Sequence, residues 1–173
     1  MVRLASVEHQ GRTKFVARIP GGYCDLSSLA GNVRDFFSVM GGVDRANELV
    51  AQATPSSHSF IAETDCRLLA PIDGSLVGKF LCIGMNYRDH CTEQDVPIPV
   101  EPLVFSKFGH CISGPDTPVA KDEQTEKLDY EVELGVVIGT YVPRYTSKED
   151  APKYIGGFTV VHDVSARDWQ LEK

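Results

Sequence analysis

The sequence contains no Cys-x-x-Cys pair, no run of Lys or Arg, no long apolar stretch and no internal repeat, and each absence removes a class of protein. Cys24, Cys66, Cys82, Cys91 and Cys111 are odd in number and irregularly spaced, so neither a disulfide framework nor a zinc knuckle is expected. A reducing compartment suits them best. Lys and Arg number 17 against 24 acidic residues, a net charge of -7, and form no stripe that could track phosphates, so nucleic acid is not an expected partner. No segment approaches the roughly 20 apolar residues of a membrane span, and Met1 to Arg18 lacks a secretory apolar core. The cytosol is the expected compartment, with the mitochondrial matrix the alternative if a presequence is absent from this chain.

What remains is an ordinary globular mixture, 42% hydrophobic and 24% charged over 173 residues. That length suits one domain, or a small domain and part of another. Val2 to Val7 and Lys14 to Ile19 are β-prone runs around a loop predicted over Glu8 to Arg12. A short helix is predicted over Asn32 to Met40. A second is predicted over Val43 to Ala53, where Val43, Ala46, Leu49, Val50 and Ala53 recur at helical spacing. Leu68 to Gly74 is extended, since Pro71 disfavours helix before it, and a domain boundary falls there: residues 1–67, then 68–173. Phe80 to Gly84 is a compact strand.

Chemistry concentrates in three places. In Asp129 to Ile138, strand alternation sends Tyr130, Val132, Leu134, Val136 and Ile138 to one face and Asp129, Glu131 and Glu133 to the other. Two carboxylates ~7 Å apart repel by about 2 kcal/mol at an effective dielectric of ~20, but by only about 0.6 in bulk water. On a solvated face the pattern therefore needs no function. In a cleft, a divalent cation relieves the repulsion, and oxygen donors without His or Cys favour Mg²⁺, Mn²⁺ or Ca²⁺ over zinc.

A third oxygen donor is offered by Asp163, the acid that interrupts the apolar run from Gly157 to Val164; its alternative role is to prepare a helix start, with Ser165 and Asp168 as a capping box. His162 has the opposite parity. In His90-Cys91-Thr92-Glu93, helical i, i+3 spacing would bring imidazole and carboxylate to one face, which suits a general base but is equally the pattern of a surface contact.

Taken together, Gly84-Met85-Asn86-Tyr87-Arg88-Asp89-His90, Glu93, Phe105-Ser106-Lys107-Phe108, Asp129 to Gly139 and Phe158 to Gln170 resemble the fumarylacetoacetate hydrolase family in order and spacing. The resemblance covers about residues 68–173. It implies an α+β, β-rich fold, a fumarylacetoacetase-like mixed β-roll with a small N-terminal α/β domain, and a homodimer. It also implies Glu131, Glu133 and Asp163 as ligands of Mg²⁺ (or Mn²⁺ or Ca²⁺), His90 and Glu93 as a water-activating catalytic dyad, and Lys107 as a substrate-binding residue. Arg167 and Asp168, from the family's Ala-Arg-Asp signature, are expected to support the site rather than react. The implied activity is metal-dependent hydrolysis or lysis of small oxo-carboxylic acids through a metal-stabilised enolate: C–C cleavage of acylpyruvates or fumarylacetoacetate-like acids, or decarboxylation of oxaloacetate.

Two departures matter. Many members carry Arg where this chain has Met85, which weakens the grip on an acidic substrate and favours oxaloacetate keto-enol tautomerisation, a reaction without water attack. The chain ends at Lys173, ahead of the segment where the family carries a pocket lysine and a Gly-rich stretch. The β-roll is accordingly expected to be incomplete at the C-terminus, and an inactive metal-binding or dimerising remnant is the competing expectation.

Overall fold

The computed structural model describes residues 2–172. Its first sheet is built from β1 (Leu4–His9), β2 (Arg12–Ile19), β3 (Gly22–Asp25), β4 (Phe60–Ala62) and β5 (Cys66–Leu68), in the spatial order β4-β3-β2-β1-β5. The loop predicted over Glu8 to Arg12 contracts to Gln10-Gly11, because both residues take positive φ (51° and 70°), the turn whose twist matches a hairpin. His9 and Arg12 thereby become ladder partners.

Alternation along β2 gives this sheet two apolar faces. Phe15, Ala17 and Ile19 meet α1 (Val33–Phe36) and α2 (Gly42–Gln52) through Val33, Phe36 and Ala46, while Val16 joins Val7, Tyr23 and Ile61 on the other side. Within α2, Val43 is exposed despite fitting the helical pattern: Ala46 is the residue that joins the core with Phe15 and Phe36, and Gly42 lies against Phe36 and Val39.

Asp25, at the end of β3, is tied to Lys14 Nζ at 2.9 Å and to the Ser27 amide at 2.8 Å. Burial acts to raise its carboxyl, but Ser27 and the Lys14 ammonium outweigh it and hold the group below the ordinary range. A carboxyl depressed in the folded state stabilises fully above its unfolded value, near 3.9, and that stabilisation is lost as pH falls through the folded value. Asp25→Asn is therefore expected to flatten the fall of the urea midpoint between pH 5 and pH 2. An unchanged acid slope would refute this.

The second half is made of short antiparallel ladders. The strand β6 (Phe80–Gly84) pairs with β7 (Leu103–Lys107) across a connection holding α3 (Arg88–Glu93). The dipeptide β8 (Leu128–Asp129) pairs with β11 (Ser165–Ala166), and β9 (Val132–Ile138) with β10 (Ile155–His162); α4 (Arg167–Leu171) follows directly. These elements form the β-rich α+β arrangement expected from the sequence.

The apolar stripe of β9 is turned away from the carboxylates and outward: Leu134 is 61% exposed and, on β10, Val160 is 78% exposed. At the loop end of this hairpin the register shifts at Gly156, against which the Phe37 ring lies. A Cβ on Gly156 would lie 2.5 Å from Phe37 Cζ and 2.8 Å from the Gly139 Cα. Gly156→Ala should thus destabilise by about 1–3 kcal/mol, the usual effect of overpacking. Denaturant melts will show it, and Phe37→Leu in the same chain should restore part of the loss by vacating the space.

Candidate functional site

The run Asp129 to Glu133 keeps one alternation although it is shared between two ladders. Ser165 opposes Asp129 on β8, and Val161 opposes Glu133 on β9. Between them the Asp163 amide donates to the Glu131 carbonyl at 2.8 Å. Directly opposed residues of an antiparallel pair project to the same face. Glu131, Glu133 and Asp163 therefore stand on one side of the hairpin, beside Asp129. Gly135 follows on that side, and a Cβ there would meet Val161 Cγ2 at 2.7 Å and Thr159 Cγ2 at 2.9 Å, so this face closes over itself past the acids.

Each carboxylate is held at one oxygen by a donor from a different element. Lys107 Nζ, at the end of β7, pairs with Asp163 Oδ1 and also donates to the Val164 carbonyl at 3.2 Å. Arg167 Nη2, at the start of α4, pairs with Glu131 Oε1 at 2.5 Å, while its Nε bonds Asp129 Oδ2 at 3.0 Å. Asn86 Nδ2 donates to Glu133 Oε2 at 3.1 Å. These contacts leave Asp163 Oδ2, Glu131 Oε2 and Glu133 Oε1 unused by the same donors. Asp163 is only 8% exposed, so its charge depends on Lys107. Its Oδ1 has no hydrogen-bond donor beside that ammonium among the described residues.

Electrostatics give the patch a net sign. Asp129, Glu131, Glu133 and Asp163 bring four negative charges, and Lys107 and Arg167 bring two positive ones, leaving two uncompensated. Arg167 is the main cause that holds the Asp129 carboxyl below its ordinary value, aided by the Tyr130 amide and, more weakly, by the charge of His90. Cys82 on β6 faces the same patch: burial pushes its thiol up, Glu133 and Glu131 add to that, and Lys107 opposes it.

The residue types are hard oxygen donors suited to Mg²⁺, Mn²⁺ or Ca²⁺, and two residual negative charges match one divalent ion. Among the described residues, however, no three His, Cys, Asp or Glu side chains are already gathered as a metal-binding group. The carboxylates share a face and each has an oxygen that its donor does not use. Their present partners are protein cations and an amide.

A tight turn carries α3 over this face. Met85 takes a positive φ of 52°, its carbonyl accepts from the buried Cys91 thiol at 3.5 Å, and Tyr87 Oη accepts from the Leu134 amide at 3.3 Å. His90 is half-buried and within electrostatic reach of Asp129, whereas Glu93 is exposed. No hydrogen bond or ion pair joins His90 to Glu93 among the described residues. Lys107 lies in the site, but its ammonium is taken by Asp163 and Val164.

The capping box expected from Ser165 and Asp168 does not form. Ser165 is a ladder residue of β11, and Ala166 occupies the N-cap of α4. Asp168 instead accepts from Thr125 Oγ1 at 2.6 Å and from the Glu126 and Trp169 amides at 3.0 Å each, anchoring α4 to the segment before β8. Asn86 and Asp129 are site residues to which the sequence pattern alone assigns no role. For Asp129 the available signal was its shared parity with Glu131 and Glu133.

Comparison with known proteins agrees with this architecture. The family described as Fumarylacetoacetate (FAA) hydrolase C-terminal matches residues 79–173. The chain is 42% identical over 146 residues to "Oxaloacetate tautomerase fahd2, mitochondrial" of Xenopus laevis, covering 84% of this chain and 44% of that protein. It is 40% identical to the "Fumarylacetoacetate hydrolase domain-containing protein 2 homolog" of Dictyostelium discoideum, covering 84% of this chain and 46% of the other. The chain thus spans less than half the length of these relatives. Among solved structures, the fumarylacetoacetate hydrolase of Exiguobacterium antarcticum superposes with a TM-score of 0.72 at 27% identity, over 99% of this chain and 59% of that one. With more than half of its residues inside the matched segment, and with the β-rich fold found in that solved structure, the chain belongs to the fumarylacetoacetate hydrolase family.

Proposed function

We propose that this chain carries the carboxylate site of an enzyme that processes small oxo-carboxylic acids with a divalent cation, and that its reaction is the keto-enol interconversion of oxaloacetate. The observation that carries this reading is the set Glu131, Glu133 and Asp163, on one face, each fixed at one oxygen by a protein donor. Those three residues would hold the cation, with Mg²⁺ the first choice and Mn²⁺ or Ca²⁺ the alternatives. A cation there would serve as Lewis acid and template for an oxo acid.

The chain's own residues supply the rest. His90, half-buried beside the acids, takes a proton from the substrate and returns it, and Asp129 offsets the positive charge of its ring meanwhile. The α3 turn, latched through Asn86 and Tyr87, keeps that ring over the face. Tautomerisation is favoured over acylpyruvate hydrolysis by two observations: His90 and Glu93 are not joined as a water-activating pair, and Met85 supplies no cation. The Xenopus relative, an oxaloacetate tautomerase by name, agrees.

The test follows the enol absorbance of oxaloacetate with the full chain, in Mg²⁺ and in chelator. Cation-dependent acceleration is expected, falling about 10²–10⁴-fold in His90→Ala, the usual contribution of a positioned acid-base group. Cleavage of acylpyruvates without oxaloacetate turnover would replace the tautomerase reading by the hydrolase one. A cooperatively folding, cation-binding chain that turns over neither would leave a binding remnant.

A further inference from the structure

Asp129 begins the acidic run, shares the face of Glu131 and Glu133, and is absent from the proposed ligand set. Its partner explains why. Arg167 reaches Asp129 through Nε at 3.0 Å and Glu131 through Nη2 at 2.5 Å, so a single guanidinium bridges both carboxylates. Its Nη1 donates to Gln170 at 3.0 Å, and its amide donates to the Lys127 carbonyl at 2.8 Å. The next residue, buried Asp168, binds Thr125 and Glu126. Backbone and side chain of Arg167 are therefore both fixed before the guanidinium meets Glu131. Asp129 is fixed as well, by its ladder pairing with Ser165 and by the Tyr130 amide at 2.9 Å.

We propose that Asp129 and Arg167 form a positioning strut: Asp129 acts as counter-anchor rather than ligand, and Arg167 orients Glu131 so that its other oxygen is presented to a divalent cation. This rests on the carboxylate-site reading above, assigns work to Arg167, which that reading leaves out, and gives Asp129 a second task beside its charge next to His90. The fork geometry is essential. A lysine ammonium keeps the charge but is a single compact point, and it cannot serve Asp129 and Glu131 through two fixed N–H directions. Partners behind metal ligands commonly govern affinity by about 10–100-fold.

The test measures Mn²⁺ binding to the full chain by electron paramagnetic resonance of the free aqua ion, with urea melts in chelator to establish folding. Arg167→Gln is expected to weaken the Mn²⁺ dissociation constant by about 10–100-fold, and Arg167→Lys to fail to restore it. Asp129→Asn, which leaves Arg167 in place but unanchored, should weaken binding severalfold. Added to Arg167→Gln, it should change nothing more, because the strut is already gone. If Arg167→Gln does not fold, Asp129→Asn and Arg167→Lys decide the matter. Parental affinity in these variants overturns the strut while leaving the cation site intact. A parent chain that binds no Mn²⁺ overturns the site reading itself, and the strut with it.

Discussion

On the proposed cation site, Asp163→Asn is expected to abolish the rise in melting temperature that divalent cation should give the parent chain. A ligand present at 100 times its dissociation constant stabilises the state that binds it by about 2.7 kcal/mol. In a chain of this size each kcal/mol moves the midpoint by about 2–4 °C, so the parent should gain roughly 5–11 °C in Mg²⁺ or Mn²⁺. Asparagine has nearly the same shape but no charge. It cannot offset a divalent ion, and it leaves Lys107 without its counter-charge on the same face. The loss should therefore be complete for cation response and much smaller in chelator, where only the Lys107 pairing is altered. Calorimetric melts of parent and variant with and without cation separate the two effects. An equal cation-induced rise in both would remove Asp163 from the ligand set.

The face occupied by these acids was legible because strand parity is local. Alternation alone placed Asp129, Glu131 and Glu133 together, and Asp163 joined them once β9 and β10 paired as a hairpin. What secures the acids was not legible. Lys107 and Asn86 reach Asp163 and Glu133 across separations of 56 and 47 residues, set by how two separate ladders pack, and no periodicity encodes that. Local rules also failed where tertiary pairing competed with them. The Ser165 and Asp168 spacing fits a helix cap, but Ser165 is taken by the ladder opposite Asp129 and Asp168 by Thr125 and Glu126. Val43 fits the apolar stripe of its helix, but Ala46 is the residue turned into the core and Gly42 lies against Phe36 and Val39, which leaves Val43 outside. The stripe from Val132 to Ile138 shows the limit of the alternation argument. It separates two faces without saying which is covered, and here the charged face is the better covered one.

Asp168→Ala should be the most damaging single change in the second half, although Asp168 touches none of the proposed ligands. The carboxylate is 6% exposed and accepts from one hydroxyl and two backbone amides. Hydrogen bonds to a charged acceptor contribute about 1.5–3 kcal/mol each, and buried donors left without a partner add their desolvation cost. Bonds that share one carboxylate do not add in full, so a loss of about 3–5 kcal/mol is expected, at the upper end for a single change and a large share of the roughly 5–15 kcal/mol that holds a domain folded. The effect should spread in a definite order. Freed from the segment before β8, α4 no longer holds Arg167, and Glu131 loses the guanidinium that fixes it. Amide exchange at Glu126 and Trp169 should accelerate first, and cation affinity should fall together with stability rather than after it. Asp168→Asn tests the charge separately. Whichever oxygen it replaces, its amide nitrogen meets a backbone N–H that cannot accept, that of Trp169 or that of Glu126, so it should recover less than half of the lost stability. Full recovery would show that shape rather than acceptor charge anchors α4.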